Sequence, residues 1–119
     1  MTNKNVLNEL AQFTGTEQWF RHGRNRKVLY TEGVRYVAEK AEAYWLVDEI
    51  ALAQVYDKVV ADTPFQVWQL SMKDSAATLV CEDGDGTTVH SKQIKFTDFP
   101  EPGIRLYFTD NVLMLLSEY

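Results

Sequence analysis

The fold class this sequence predicts is α+β: an antiparallel sheet of about five or more strands with two or three helices packed on one face. Three observations point to it. Apolar residues at helical spacing are confined to the first half, ahead of Pro64. Alternation of apolar and polar residues dominates from Phe65 onward. Turn signals such as Asp83-Gly84, Asp110-Asn111 and Pro100-Glu101-Pro102-Gly103 cut that second half into strand-length pieces. At 119 residues and 45% hydrophobic, the chain is the size of one domain, so 1–119 reads as a single unit.

The elements follow in order. Asn3 or Asn5 caps a first helix to about Gln12, with Val6, Leu7, Leu10 and Ala11 as its inner stripe. Gly15 suits its end. Residues 17–21, holding Trp19 and Phe20, read as a short strand. The polar, basic turn 22–27 leads to a returning strand at 28–31, which makes a hairpin. Thr31-Glu32-Gly33 starts a helix whose inner face is Val34, Val37, Ala38 and Ala41. Helical spacing resumes from Ala43 to about Tyr56, with Leu46, Val47, Ile50 and Ala53 inward. One kinked helix and two separate helices fit 34–56 equally well. Asp62-Thr63-Pro64 closes the helical region, because proline disfavours helical geometry in the residue before it. Strands follow at 65–72, 77–82, 87–96, 104–108 and 112–116.

Composition limits the function classes. The longest apolar run, Val112 to Leu116, is strand-sized, far below the roughly 18 residues of a membrane span. No signal-peptide pattern opens the chain, and the lone Cys81 has no internal disulfide partner, so a reducing cytoplasm is expected. The formal charge of −5 opposes general binding to phosphate backbones.

Four constellations could carry chemistry. Asp83 and Asp85 could hold a hard cation, but the twelfth position of a calcium loop counted from Asp83 is Ile94, so turn chemistry is preferred. Cys81 and His90 come close if their strands pair. One Cys and two His fall short of a structural zinc set, and Cys81 after Leu79-Val80 reads as a small core hydrophobe. The basic cluster Arg21, His22, Arg24, Arg26 and Lys27 follows Trp19 and Phe20, the combination that binds single-stranded nucleic acid. A solvated loop is the simpler reading of it. Asp48 and Glu49 adjoin Tyr44-Trp45, but neighbouring helical positions diverge by about 100°, so the two carboxylates do not face each other. No phosphate-binding glycine loop, nucleophile elbow or paired metal-ligating histidines occur.

Several stretches together carry a resemblance: Phe13-x-Gly15-Thr16, Tyr30-Thr31-Glu32-Gly33-Val34-x-Tyr36, Ala43 to Ala51, Cys81-x-Asp83-Gly84, Thr97 to Pro100 and Ser117-Glu118-Tyr119. They resemble an uncharacterised family of small single-domain bacterial proteins of unknown function, often associated with phage or plasmid genes. The resemblance implies a stand-alone domain and no reaction.

The expectation is therefore a non-enzymatic accessory or protein-interaction module, without cofactor or metal. Its interaction patch is drawn from Trp19, Phe20, Arg21, Arg24, Arg26, Lys27, Tyr44 and Trp45. The alternative is a ligand or single-stranded nucleic-acid binder using the 21–27 hairpin. Another protein is the expected partner, with a homodimer through an exposed strand edge as a second expectation.

Overall fold

The computed structural model describes residues 18–119. The helix expected over residues 3–12 lies outside them. Seven strands form one sheet: β1 Trp19–Arg21, β2 Leu29–Thr31, β3 Phe65–Lys73, β4 Ala76–Asp83, β5 Thr88–Ile94, β6 Gly103–Thr109 and β7 Val112–Leu115. Their spatial order is β1-β2-β7-β6-β3-β4-β5. The three α-helices of the described residues are α1 Glu32–Lys40, α2 Tyr44–Tyr56 and α3 Lys58–Ala61, and a 3-10 turn at Leu116–Glu118 follows β7. The fold is thus α+β.

The hairpins follow the local turn chemistry. Asp74 and Ser75, and again Asp110 and Asn111, hold positive φ between β3 and β4 and between β6 and β7, as tight hairpin turns require. The Asp83 carboxylate accepts hydrogen bonds from the amides of Asp85 and Thr87 (2.8 and 2.9 Å), closing the β4–β5 turn. That is the turn role preferred for it over a cation site.

The sheet departs from the purely antiparallel expectation at one place. β2 runs parallel to β7, with Leu29 opposite Val112 and Tyr30 opposite Leu113. A parallel partner so distant in the chain leaves no local signal, because no short turn joins the two strands.

The stretch 34–56 is two helices. Thr31 caps α1 by accepting from the Val34 amide at 3.2 Å. The chain then breaks at Glu42, whose φ is 52°. Val34, Val37, Ala38 and Ala41 are buried, as are Leu46, Val47, Ile50 and Ala53. Asp57, in extended geometry, ends α2 and starts α3 by accepting from the Val59 and Val60 amides at 3.1 and 3.3 Å.

One register row runs Leu115–Leu106–Trp68–Cys81–His90, and its neighbour Ile104–Leu70–Leu79–Lys92. The apolar members of both rows are buried. Gln66 reverses the alternation: it is 1% exposed, whereas Phe65 and Val67 lie half-buried on the opposite face. Its amide nitrogen donates to Gln54 Oε1 and to the carbonyls of Val60 and Thr63 at 2.9–3.0 Å. Its oxygen accepts from Gln54 and from the Trp68 indole, both at 2.8 Å. A fully partnered amide is tolerated in a core and ties β3 to α2 and α3.

No helix among the described residues is long and apolar enough to cross a membrane.

Candidate functional site

The basic 22–27 turn does not project from the fold; it is docked on α2. His22 is 5% exposed and Asn25 9%. His22 Nδ1 accepts from the amides of Arg24 and Asn25 at 3.3 and 3.0 Å. The ring proton therefore sits on Nε2, which donates to Asp48 Oδ1 at 2.7 Å. Asn25 Nδ2 donates to the Ala51 carbonyl at 2.8 Å. Both ring nitrogens of His22 are committed, so this histidine holds the loop and has no lone pair left for chemistry.

Docking the loop places Arg24 on the wall of a cleft of about 670 Å³. The other wall is α2, with Trp45, Leu52, Ala53 and Tyr56, and the edge strand β5 contributes His90 and Lys92. That volume lies in the range of small-ligand sites, about 300–1,000 Å³. Every ionic group along it has a partner: Arg24 with Asp48 at 3.4 Å, Lys92 with Glu49 at 2.7 Å, Lys58 with Asp62 at 3.0 Å, and His90 with Asp57 at 2.8 Å.

The Asp57–His90 pair is built from both sides. One carboxylate oxygen of Asp57 takes the α3 amides and the other faces His90 Nδ1. The hydrogen bond from His90, aided by the Val60 amide, holds the Asp57 carboxyl below its ordinary value of 3.8. An ionised carboxylate only accepts, so His90 Nδ1 carries the proton and donates it. The Trp68 ring supports the imidazole at 5.6 Å between centroids. His90 Nε2 makes no hydrogen bond among the described residues, and no buried side-chain nitrogen or oxygen among them lacks a partner. His90 borders the cleft.

The residues singled out from the sequence distribute as follows. Trp19 is exposed at 51% and pairs with Thr31, while Phe20 faces the opposite side of β1, half-buried, with Arg35 4.5 Å above its ring and Tyr30 beside it. Arg21 donates to the Arg26 carbonyl. Arg24, Arg26 and Lys27 line a second hollow with Gln54 and Val55. Tyr44 and Trp45 line a third with Ala38, Glu39 and Glu42. Arg24 belongs to the first two hollows and Trp45 to the first and third, so one furrowed surface follows α2. None of the four aromatics Trp19, Phe20, Tyr44 and Trp45 is fully buried.

Cys81 and His90 are register partners, as strand pairing requires. Cys81 does not reach the cleft, however. It is 0% exposed, and the Trp68 indole spans its position to touch His90. Burial first, and then the negative charges of Asp57 and Asp83, push its thiol up to about 12. Cys–His nucleophilic chemistry needs a thiolate, which this site withholds. Native protein will leave Cys81 unlabelled by iodoacetamide at pH 8, and guanidinium-unfolded protein will label fully. Rapid labelling of the native thiol, read by mass spectrometry, would show that Trp68 does not seal it.

Sequence reasoning singled out His90 but not Asp57. The available signal was Asp57 three residues ahead of Val60, an N-cap pattern inside what reads as one helical region. No group of three His, Cys, Asp or Glu among the described residues is placed to hold a metal ion.

A family model described as a family of unknown function, DUF6876, matches residues 4–119. Comparison with curated proteins and with solved structures gives no significant match.

Proposed function

Because the chain belongs to that family of unknown function, its role has to be read from its own surface, and we propose that it is a non-enzymatic, cytoplasmic binding module that holds a segment of another protein along the furrow of α2. One observation carries this reading: three hollows run together through the shared side chains of Arg24 and Trp45. The exposed apolar residues Tyr44, Val55, Tyr56 and Val59 border the same stretch of chain. Aromatic residues and arginine set in a pocketed surface are the usual anchors of a protein interface. Paired charges along the cleft wall leave binding to shape and apolar contact.

The test is site-specific photo-cross-linking in host cells. A benzoylphenylalanine at Tyr56, 81% exposed, is expected to trap a discrete protein adduct. The same group at Arg105, an exposed residue of β6, is expected to trap none. Equal labelling at both positions, or none at either, overturns the reading. Adducts that disappear after nuclease treatment would instead favour single-stranded nucleic acid bound through Arg24, Arg26 and Lys27.

A further inference from the structure

We infer that the cleft between α2 and β5 receives a neutral, apolar-bodied group carrying one hydrogen-bond donor, a phenol-like hydroxyl such as a tyrosine side chain, with the donor bonded to His90 Nε2. The inference names the chemistry of the group that enters the surface proposed above, and so rests on that reading. Three features select this class.

The first is charge. The cations Arg24, Lys58 and Lys92 and the carboxylates Asp48 and Glu49 around the cleft are all in ion pairs, and the Asp57 carboxylate is held by two backbone amides and the Nδ1–H of a neutral His90. A charged ligand would have to compete with one of these pairs, whereas a neutral one would not. The second is the wall. Trp45, Leu52, Ala53 and Tyr56 offer apolar and aromatic area against which a ring can stack. The third is the polarity of the imidazole. Asp57 holds the proton on Nδ1 and leaves Nε2 as an oriented acceptor without a partner among the described residues, on a residue that lines the cleft. The carboxylate is itself fixed by two backbone amides, so the tautomer is set by the fold before any ligand arrives.

This predicts a polarity that one substitution reverses. In Asp57→Asn the Val59 and Val60 amides still require an acceptor, so the Asn carbonyl oxygen accepts from them and its NH2 group turns to His90. Nδ1 then accepts, and the ring proton moves to Nε2. A cleft that preferred a donor now prefers an acceptor. Asn ranks with Asp as a helix N-cap, so the fold is retained.

Three small aromatic probes test this at pH 8.5: phenol, which donates; acetophenone, which only accepts; and toluene, which does neither. Binding is followed by titration of the amide and indole NMR signals. In the native protein, phenol is expected to bind about fivefold tighter than toluene, the worth of one neutral hydrogen bond, and to shift Trp45 and His90. In Asp57→Asn, acetophenone is expected to overtake phenol. In His90→Phe, which keeps a ring in place, the preference of phenol over toluene should disappear. The inference is overturned if the native protein binds the probes equally or elsewhere, binds none of them, or if the preference for phenol survives Asp57→Asn. The probes need no protein partner, so their failure is distinct from a failure of the cross-linking experiment.

Discussion

Gly103→Ala is expected to abolish folding. Gly103 opens β6 opposite Ser71 with φ of 118°, a region that side-chain-bearing residues rarely enter. A Cβ there would lie 1.8 Å from the Leu70 carbonyl oxygen and 2.8 Å from its carbon. Both atoms belong to the backbone of β3, a central strand, so no rotamer change relieves the clash. The expected loss exceeds about 4 kcal/mol, the size at which a single substitution unfolds many domains. Gly23→Ala is the matched control, because nothing lies within 4 Å of its added Cβ. Urea denaturation followed by circular dichroism should place Gly23→Ala within about 0.5 kcal/mol of the native protein. A cooperative, native-like transition for Gly103→Ala would show that β3 and β6 can separate without losing the fold.

Glu118→Ala is the second large effect. One oxygen of this carboxylate accepts from the Thr31 hydroxyl at 2.6 Å and the Leu115 amide at 2.9 Å, and the other from the Gly33 amide at 3.3 Å. A single side chain thus joins the end of β2, the first turn of α1 and the end of β7, and its charge complements the positive end of the helix. Gly33 makes room for it: a Cβ there would stand 2.8 Å from both carboxylate oxygens and 2.6 Å from Leu115 Cδ1. Alanine at 118 removes charge-assisted bonds and strands donors on buried residues, at a cost of about 2–3 kcal/mol. Glu118→Gln keeps one acceptor oxygen and should cost roughly half as much. Equal urea midpoints for native protein and Glu118→Ala would remove the clamp from the account of stability.

The Thr31–Gly33 and Ser117–Tyr119 stretches, noted in the sequence for their resemblance to a family, therefore meet in space as a structural joint. That contact was not legible from either stretch alone. The hairpins were legible, since alternation and turn residues act over a few positions. The helix break at Glu42 was not, because glutamate at positive φ announces nothing by residue type, unlike the Gly or Asn that favour that geometry. The burial of Gln66 was hidden for a related reason. Its burial is justified only by partners on α2 and α3, which alternation cannot see.

The same limit governs the candidate site. His22 and Asn25 sit among arginines in sequence and read as solvated loop, yet their hydrogen bonds to Asp48 and Ala51 bury them. Local charge reports what surrounds a residue along the chain; burial depends on what arrives from elsewhere. His90 could be placed beside Cys81 once their strands paired, but its orientation needed Asp57, which enters through a cap that helical periodicity conceals.

The parallel pairing of β2 with β7 also sets the order in which the molecule can be completed. During synthesis the β1–β2 hairpin and α1 leave the ribosome long before β7 exists, yet β7 is the strand that joins them to β6 and the rest of the sheet. Until residues 112–115 emerge, the nascent amino-terminal hairpin has no neighbouring strand to dock against, and its apolar residues have no finished core to enter. Joining of the β1–β2 hairpin to the rest of the sheet therefore waits until β7 has been made, and these early segments are the ones most in need of protection while they wait.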